Sequence, residues 1–322
     1  MRFVIYGAGG IGGTIGARLH LSGFRVTLIA RGEHFQMIRR KGLRFVSPRQ
    51  DTVLQIPTVE HPSEVDWQED HVVLLCMKGQ HTEDALVSLQ QETSDETPVV
   101  CCQNGVANER MALRRFANVY GMCVLVPAEH LEAGIVVSFA DGTAGALDIG
   151  KYPSGFDQTS AHISTTIRKA GYSSVNDPSV MRQKYTKLLG NLNNAVQAAC
   201  GTTTSSLSSA LRNEALACYK ASNIDWANRD EARQRRLEIR GGSVPGFQRH
   251  GGSSLQSVIR NTGNIEVDFL NGEIVQLGRL HELATPANVV VQRIGHLAVK
   301  AGEPGTYCSI QELESLVAEE TL

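Results

Sequence analysis

Residues 3–13 read Phe3-Val4-Ile5-Tyr6-Gly7-Ala8-Gly9-Gly10-Ile11-Gly12-Gly13, an apolar run that breaks into glycines and resumes at helical spacing with Ile11, Ile15 and Leu19. That order is the signature of a strand, a tight turn and the start of a helix. Gly7 allows the turn, Gly9 lets the main chain approach a pyrophosphate, and Gly12 lets the helix pack closely on the strand; Ala8, Gly10 and Ile11 complete the phosphate turn. Phosphates would sit at the helix N-terminus, where free N–H groups and the positive end of the dipole meet them. Glycine supplies 31 of the 322 residues, so the spacing alone is a weak signal and its context decides. Here Ser22-Gly23 closes the helix and Arg25-Val26-Thr27-Leu28-Ile29 reads as the next strand, a complete βαβ opening.

The end of that second strand selects the dinucleotide. An acidic residue there would hold a ribose 2′-hydroxyl, whereas a 2′-phosphate wants a cation. The chain has Ala30-Arg31, followed by His34 and by Arg39-Arg40-Lys41. The reading is therefore NADP(H), with Arg31 stacking on adenine and pairing with the phosphate. Glu33 is the one residue placed to reach a ribose instead, and Arg39 to Lys41 read as a solvated last helical turn.

Formal net charge is −2 with mixed signs, which leaves no electrostatic footprint for nucleic acid or an anionic membrane. No apolar run approaches a membrane span, and the N-terminal residues go straight into a strand. The seven cysteines are an odd number without CxxC spacing, in mostly apolar runs, which points to reduced thiols and a cytoplasmic protein. The ten histidines form no ligand pattern, so no metal is expected.

Two further apolar runs, His71 to Cys76 and Pro98 to Cys102, read as buried parallel strands that end at Met77-Lys78-Gly79 and Gln103-Asn104-Gly105. Ligands of open α/β sheets lie off the carboxyl ends of the strands, so Lys78 and Asn104 share the edge of Gly7. Leu43 to Val59 reads as a decorative insertion of short strands, and Ile135 to Ile149 as two strands joined around Asp141-Gly142. The run Gly145 to Tyr152 imitates a nucleotide-triphosphate loop, but Tyr152 replaces the metal-binding hydroxyl and Pro153 excludes the helix.

From Ser179 strand signals fade and helical periodicity takes over. The expected fold is α/β: an N-terminal Rossmann dinucleotide-binding domain over 1–177, followed by an all-α C-terminal domain over 178–322. One helix from Val180 to Cys200 would place Lys184, Lys187, Asn191, Asn194 and Ala198 on a single stripe, either a polar cleft wall or a solvated face. Gly241 to Gly252 reads as a lid or a plain connection. A helix starts at Ser253-Ser254, is interrupted near Thr262-Gly263-Asn264, and resumes from Ile265 to about Glu282 with Glu266 and Glu273 inside its apolar arc. A carboxylate there needs a partner. Thr285 with Pro286 opens a last long helix that Gly302 ends, and Ser309 to Glu312 reads as a capping box.

Taken together, Gly7-x-Gly9-x-x-Gly12, Arg31, Lys78, Gln103-Asn104-Gly105, Lys187-Leu188-x-x-Asn191, and Ser254 followed by Glu266-x-Asp268-x-x-Asn271-Gly272 resemble the ketopantoate reductase (2-dehydropantoate 2-reductase) family. The resemblance spans nearly the whole chain, with only about Leu207 to Gly252 unlike it. It implies NADPH-dependent reduction of a 2-oxo acid in a cleft between the two domains. Lys187 would be the general acid and Glu266 its orienting carboxylate; Glu266 also belongs to the cofactor-binding set. Asn191 and Ser254 would contact the substrate, Lys78 and Asn104 the nicotinamide side, and Ala128 a further part of the cofactor. Asn104 and Lys187 would also touch the substrate. Three positions depart from the pattern. Ala195 stands where a second Asn is expected, with Asn194 beside it on the Lys187 stripe; the position expected for a third Asn falls near Ser205; and an Asp after Ser254 is missing. The substrate is thus a small 2-oxo acid, with ketopantoate leading. The alternatives are a relative acting on another 2-oxo acid or an imine, and a non-catalytic dinucleotide-binding regulator, against which the presence of both Lys187 and Glu266 argues. The resemblance leaves a homodimer open.

Overall fold

The computed structural model describes residues 1–260 and 263–321. The elements begin with β1 (Arg2–Tyr6), α1 (Gly10–Leu21), β2 (Arg25–Ile29), α2 (Gly32–Lys41), β3 (Leu43–Ser47), β4 (Gln50–Leu54), β5 (Thr58–Val59) and β6 (His71–Leu75). Next come α3 (Thr82–Glu92), β7 (Val99–Cys101), α4 (Asn108–Leu113), β8 (Val119–Leu125), β9 (Ala128–Glu129), β10 (Ile135–Ser138), β11 (Ala140–Asp141), β12 (Ala146–Lys151) and α5 (Gln158–Lys169). The chain continues through α6 (Val180–Asn191), α7 (Asn194–Cys200), α8 (Ser205–Ala221), α9 (Arg229–Leu237), β13 (Arg240–Gly241), α10 (Ser253–Ile259), α11 (Asn271–Leu280), α12 (Pro286–Ala301) and α13 (Ile310–Thr321). Two compact units result, the first comprising Met1–Gln103, Asn108–Gln183 and Asn228–Arg249, the second Asn104–Ala107, Lys184–Ala227 and His250–Leu322.

The first unit is built on a seven-stranded sheet in the order β12-β8-β7-β6-β1-β2-β5. All neighbours are parallel except β12, which runs antiparallel to β8 at one edge. Leaving out that edge strand, this is the doubly wound order, which reverses between β1 and β6. The strand centres Val4, Val73 and Val100 are wholly buried, as expected of strands covered on both faces. The stretch from Leu43 is more than decoration. Its last strand, β5, completes the main sheet, while β3 and β4 join β10 and β9 in a separate four-stranded sheet, β4-β3-β10-β9. Likewise β10 and β12 are not a hairpin about Asp141-Gly142 but members of different sheets.

The segment 228–249, assigned from sequence to the helical half, packs in the first unit. Three contacts explain this. The Arg235 guanidinium grips the buried carboxylate of Asp148 with both Nε and Nη2. β13 pairs antiparallel with β11. Val244 is buried in a cluster with Val46, Val137 and Phe139. The connection after α9 is thereby held to the first unit at Arg240–Gly241 and at Val244.

The second unit is helical. α12 packs against α7, α8, α11 and α13, and α10 against α7. The expected cap at Thr285 makes no side-chain hydrogen bond; instead the Glu214 carboxylate accepts the N–H groups of Ala287 at 2.8 Å and Asn288 at 3.0 Å. The capping box at Ser309 and Glu312 is formed. Of the interruption expected near Thr262-Gly263-Asn264, Thr262 lies outside the described residues and Gly263 and Asn264 are non-helical; the single helix expected from Ile265 is instead a short 3-10 turn, Glu266–Phe269, ahead of α11. Among the described residues no helix is long and apolar enough to cross a membrane, and no group of three or more His, Cys, Asp or Glu is arranged to hold a metal.

Candidate active site

The strand register sets the candidates of the first unit. Tyr6 stands level with Ile29 on one side and Leu75 on the other, and Leu75 with Cys101. Gly9, Lys78 and Asn104 each follow three residues after one of these level positions, and Arg31 two residues after another. The candidate cofactor residues therefore leave the carboxyl ends of β1, β2, β6 and β7 at the switch point, where open α/β sheets take their ligands.

At the turn itself the glycines are required by space. Gly7 has φ +101°, and a Cβ there would lie 2.6 Å from the Met77 nitrogen. A Cβ on Gly12 would lie 2.0 Å from the Gly7 carbonyl oxygen, so only a bare α-carbon lets α1 seat on β1. At Gly9 the nearest atom to such a Cβ is 4.0 Å away, on the His130 ring, so this position is open to a ligand. The buried Ala8 lies between them, and Gly10 abuts Ala128 and Glu129 of β9, which brings Ala128 to the turn. A backbone that excludes side chains at Gly7 and Gly12 and opens at Gly9 fits a dinucleotide.

Arg31 is exposed at the head of α2, with Glu33 in the first turn of that helix. Burial pushes the Tyr6 phenol pKa up, and the Arg31 guanidinium pulls against that shift, which places this cation by the end of β1. His34 does not join it as a cation for the adenosine end. Its Nε2 pairs with the Ala8 carbonyl at 2.8 Å, while the Gly134 N–H donates to its Nδ1 at 2.9 Å. Lys78 is half-buried at the head of a short 3-10 turn, Gly79–His81.

The candidates of the helical unit depend on a helix break. The single helix expected from Val180 to Cys200 is two, α6 and α7, parted at Leu192-Asn193. The Leu192 carbonyl accepts a bond from Asn271 Nδ2 at 3.1 Å, and Asn193 Oδ1 accepts from Thr203 Oγ1 at 3.1 Å and Ser208 Oγ at 2.9 Å. Side chains from α8, α11 and the loop before α8 thus meet the chain at the break, and Asn271 satisfies a backbone carbonyl there. The stripe is not a solvated face: Lys184, Asn194 and Ala198 are buried, and Lys187 and Asn191 half-buried.

Lys187 Nζ donates to Asn104 Oδ1 at 2.7 Å, joining two candidates far apart in sequence. Gly105, at φ +76°, comes so close to the Phe269 carbonyl that a Cβ there would lie 2.7 Å from its oxygen. The Asn104 turn therefore packs on the 3-10 turn that carries Glu266, whose side chain is buried at 2 % exposure. Within the first unit Gln103 Nε2 donates to Thr82 Oγ1, which donates to Asn108 Oδ1, an internal network that fixes the residue before Asn104. The sequence reading missed Thr82 and Asn108 because their pairing is visible only across the fold.

Two further candidates are polar atoms in want of a ligand. Ser254 is 1 % exposed, and its Oγ has no hydrogen-bond partner among the described residues; the same is true of the buried Asn191 Oδ1. Leaving such a group unmet costs about 1–3 kcal/mol, so a polar ligand is the natural complement. Gly252, two residues before Ser254, faces Asn194 and Gln197: a Cβ on it would lie 3.5 Å from Asn194 Oδ1 and 3.0 Å from Gln197 Oε1. Ala195, by contrast, packs inward against Gly295 of α12. Ser205 is exposed in the first turn of α8.

Comparison with known proteins matches the chain in two parts. Residues 3–154 match the model of the family described as ketopantoate reductase PanE/ApbA, and 179–298 match that of its C-terminal part. The 2-dehydropantoate 2-reductase of Pyrococcus horikoshii is 26% identical over 298 residues, covering 90% of this chain and 95% of its own. That of Mesorhizobium japonicum is 26% identical over 340 aligned positions, 94% of this chain and 99% of its own. Among solved structures, a PanE/ApbA family ketopantoate reductase from Ralstonia eutropha JMP134 superposes with a TM-score of 0.78 at 25% identity, covering 94% of this chain and 100% of its own. A D-mandelate dehydrogenase solved with NADH and anilino(oxo)acetate shares the fold, with a TM-score of 0.80 at 22% identity over 94% of this chain and 99% of its own. With a glycine turn at the switch point of a doubly wound sheet, a helical second unit, and both halves matched by family models, the chain belongs to the ketopantoate reductase family.

Proposed function

We propose that this chain reduces a 2-oxo acid to the 2-hydroxy acid with NADPH, 2-dehydropantoate to pantoate being the leading reaction. The observation that carries the reading is the bond from Lys187 Nζ to Asn104 Oδ1. That bond fixes an ammonium, a group with three N–H donors, beside the Asn104 amide. When bound, the reduced nicotinamide supplies the hydride. The chain's own part is electrostatic and acid–base: Lys187 stabilises the negative charge that develops on the carbonyl oxygen and gives that oxygen a proton. Glu266, buried on the turn against which the Asn104 loop packs, is the carboxylate proposed to orient that ammonium and to contact the cofactor. Asn191, Asn194 and Ser254 are proposed to hold the substrate's polar groups, and Asn104 to contact both substrate and nicotinamide. Gly7 to Gly12, Lys78 and Ala128 would hold the dinucleotide, and Arg31 its 2′-phosphate.

One observation favours a different 2-oxo acid as substrate. The amide expected eight residues after Lys187 is Ala195, which is packed into the core, so the polar shell is not the family's usual one. Turnover followed by loss of the reduced nicotinamide's absorbance, with ketopantoate beside a panel of 2-oxo acids and imines and with NADPH beside NADH, tests the reading. Preference for ketopantoate supports it. Turnover confined to another member moves the substrate and keeps the mechanism, and dinucleotide binding without turnover on the whole panel favours a regulator.

A further inference from the structure

Two segments remote in sequence meet beside the phosphate turn: α2 and the loop between β9 and β10. His34 of α2 contacts both the Ala8 carbonyl, at 2.8 Å through Nε2, and the Gly134 N–H, at 2.9 Å through Nδ1. Because an N–H donates to Nδ1, that atom carries the lone pair, and Nε2–H is the donor to Ala8. The His130 ring packs at a 45° tilt against His34 with centroids 4.0 Å apart, is anchored by Nδ1–H to the Ile135 carbonyl at 3.0 Å, and is the nearest group to the open face of Gly9. The first bond within α1 runs from Gly13 N–H to the Gly9 carbonyl, so the N–H groups of Gly10, Ile11 and Gly12 lie ahead of the helix's own bonding.

We propose that His34 is a positioning residue of the phosphate turn. By holding the Ala8 carbonyl it turns the following N–H groups toward the pyrophosphate, and His130 forms the wall beside Gly9. The inference rests on the nicotinamide-dinucleotide reading above.

Fluorescence titration of NADPH and NADH against the full chain tests it, with thermal unfolding as the check on folding. His34→Ala removes both contacts. His34→Asn keeps an acceptor for Gly134 but cannot reach Ala8; His34→Gln keeps a donor near Nε2. We expect dinucleotide affinity to fall about tenfold or more in His34→Ala and His34→Asn, and to recover substantially in His34→Gln, since one well-made hydrogen bond corresponds to roughly that factor. His130→Ala should weaken binding less. The role of His34 is overturned if His34→Ala and His34→Asn, folded, bind as the wild type does, or if His34→Gln is as weak as His34→Ala. A wild-type chain that bound neither dinucleotide would instead overturn the cofactor reading, and this inference with it.

Discussion

The two units carry their candidate residues in different ways. In the first, contiguous main chain makes the site: a turn of six residues closes because glycine stands where a Cβ would strike the backbone, and the rest are strand ends brought level by register. In the second, single side chains from separate stretches meet, and their phase is set by the break between α6 and α7. A main-chain site is fixed as soon as its strand forms. A side-chain site is only as good as the packing that orients it, so the first should respond to substitution through cofactor affinity and the second through turnover.

The sharpest test of that contrast is Lys187→Ala. General acid catalysis contributes about 10²–10⁴-fold, so kcat should fall by at least about 100-fold while dinucleotide affinity changes little. A folded variant with near-normal turnover would break the assignment. Next in size is Gly12→Ala, where the added carbon meets the Gly7 oxygen at 2.0 Å. Overpacking of this kind costs about 1–3 kcal/mol and here displaces the turn, so unfolding midpoint and dinucleotide affinity should fall together.

Asn271→Ala sharpens the comparison from the other side. It removes the donor to the Leu192 carbonyl and the bond to Asn288 Oδ1, at a cost of about 1–3 kcal/mol. Because Asn271 supports the break, kcat should drop with the dinucleotide Kd unchanged, as read by parallel steady-state and binding measurements. Equal loss in both would contradict the separation of roles.

The smallest effect concerns pH. Burial, then the contact with Cys308 at 3.4 Å between sulfurs, pushes the Cys200 thiol up to about 12. An unfolded thiol ionises near about 8.5, so above that pH the unfolded chain releases a proton that the folded chain retains. Stability should therefore decline as pH rises from about 8.5 toward 12, and Cys200→Ala should flatten that slope in urea unfolding series.

How far each half could be read in advance follows the same line. Gly7 to Gly12, Arg31, Lys78 and Asn104 stood out because glycine spacing and apolar runs are local, and the sheet edge they share follows from the parallel register. His34 was legible only as a cation, since nothing local shows that its ring lies between Ala8 and Gly134. The stripe from Lys184 to Ala198 was visible by helical period, but the period ran straight through Leu192-Asn193. The partners that favour the break, Asn271, Thr203 and Ser208, lie on other segments.

The sequence by itself determined the βαβ opening, the alternation of buried strands, the passage to helices after Ser179 and the identity of the ionisable candidates, because periodicity, glycine and capping act over a few residues. Only the tertiary structure decided that 228–249 returns to the first unit, that Asn194 rather than Ala195 faces Gly252, and that Asn104 holds Lys187. Each of these depends on buried contacts between segments distant in the chain, such as Arg235 with Asp148 and Asn271 with Leu192, whose pairing is fixed by packing and has no local signature.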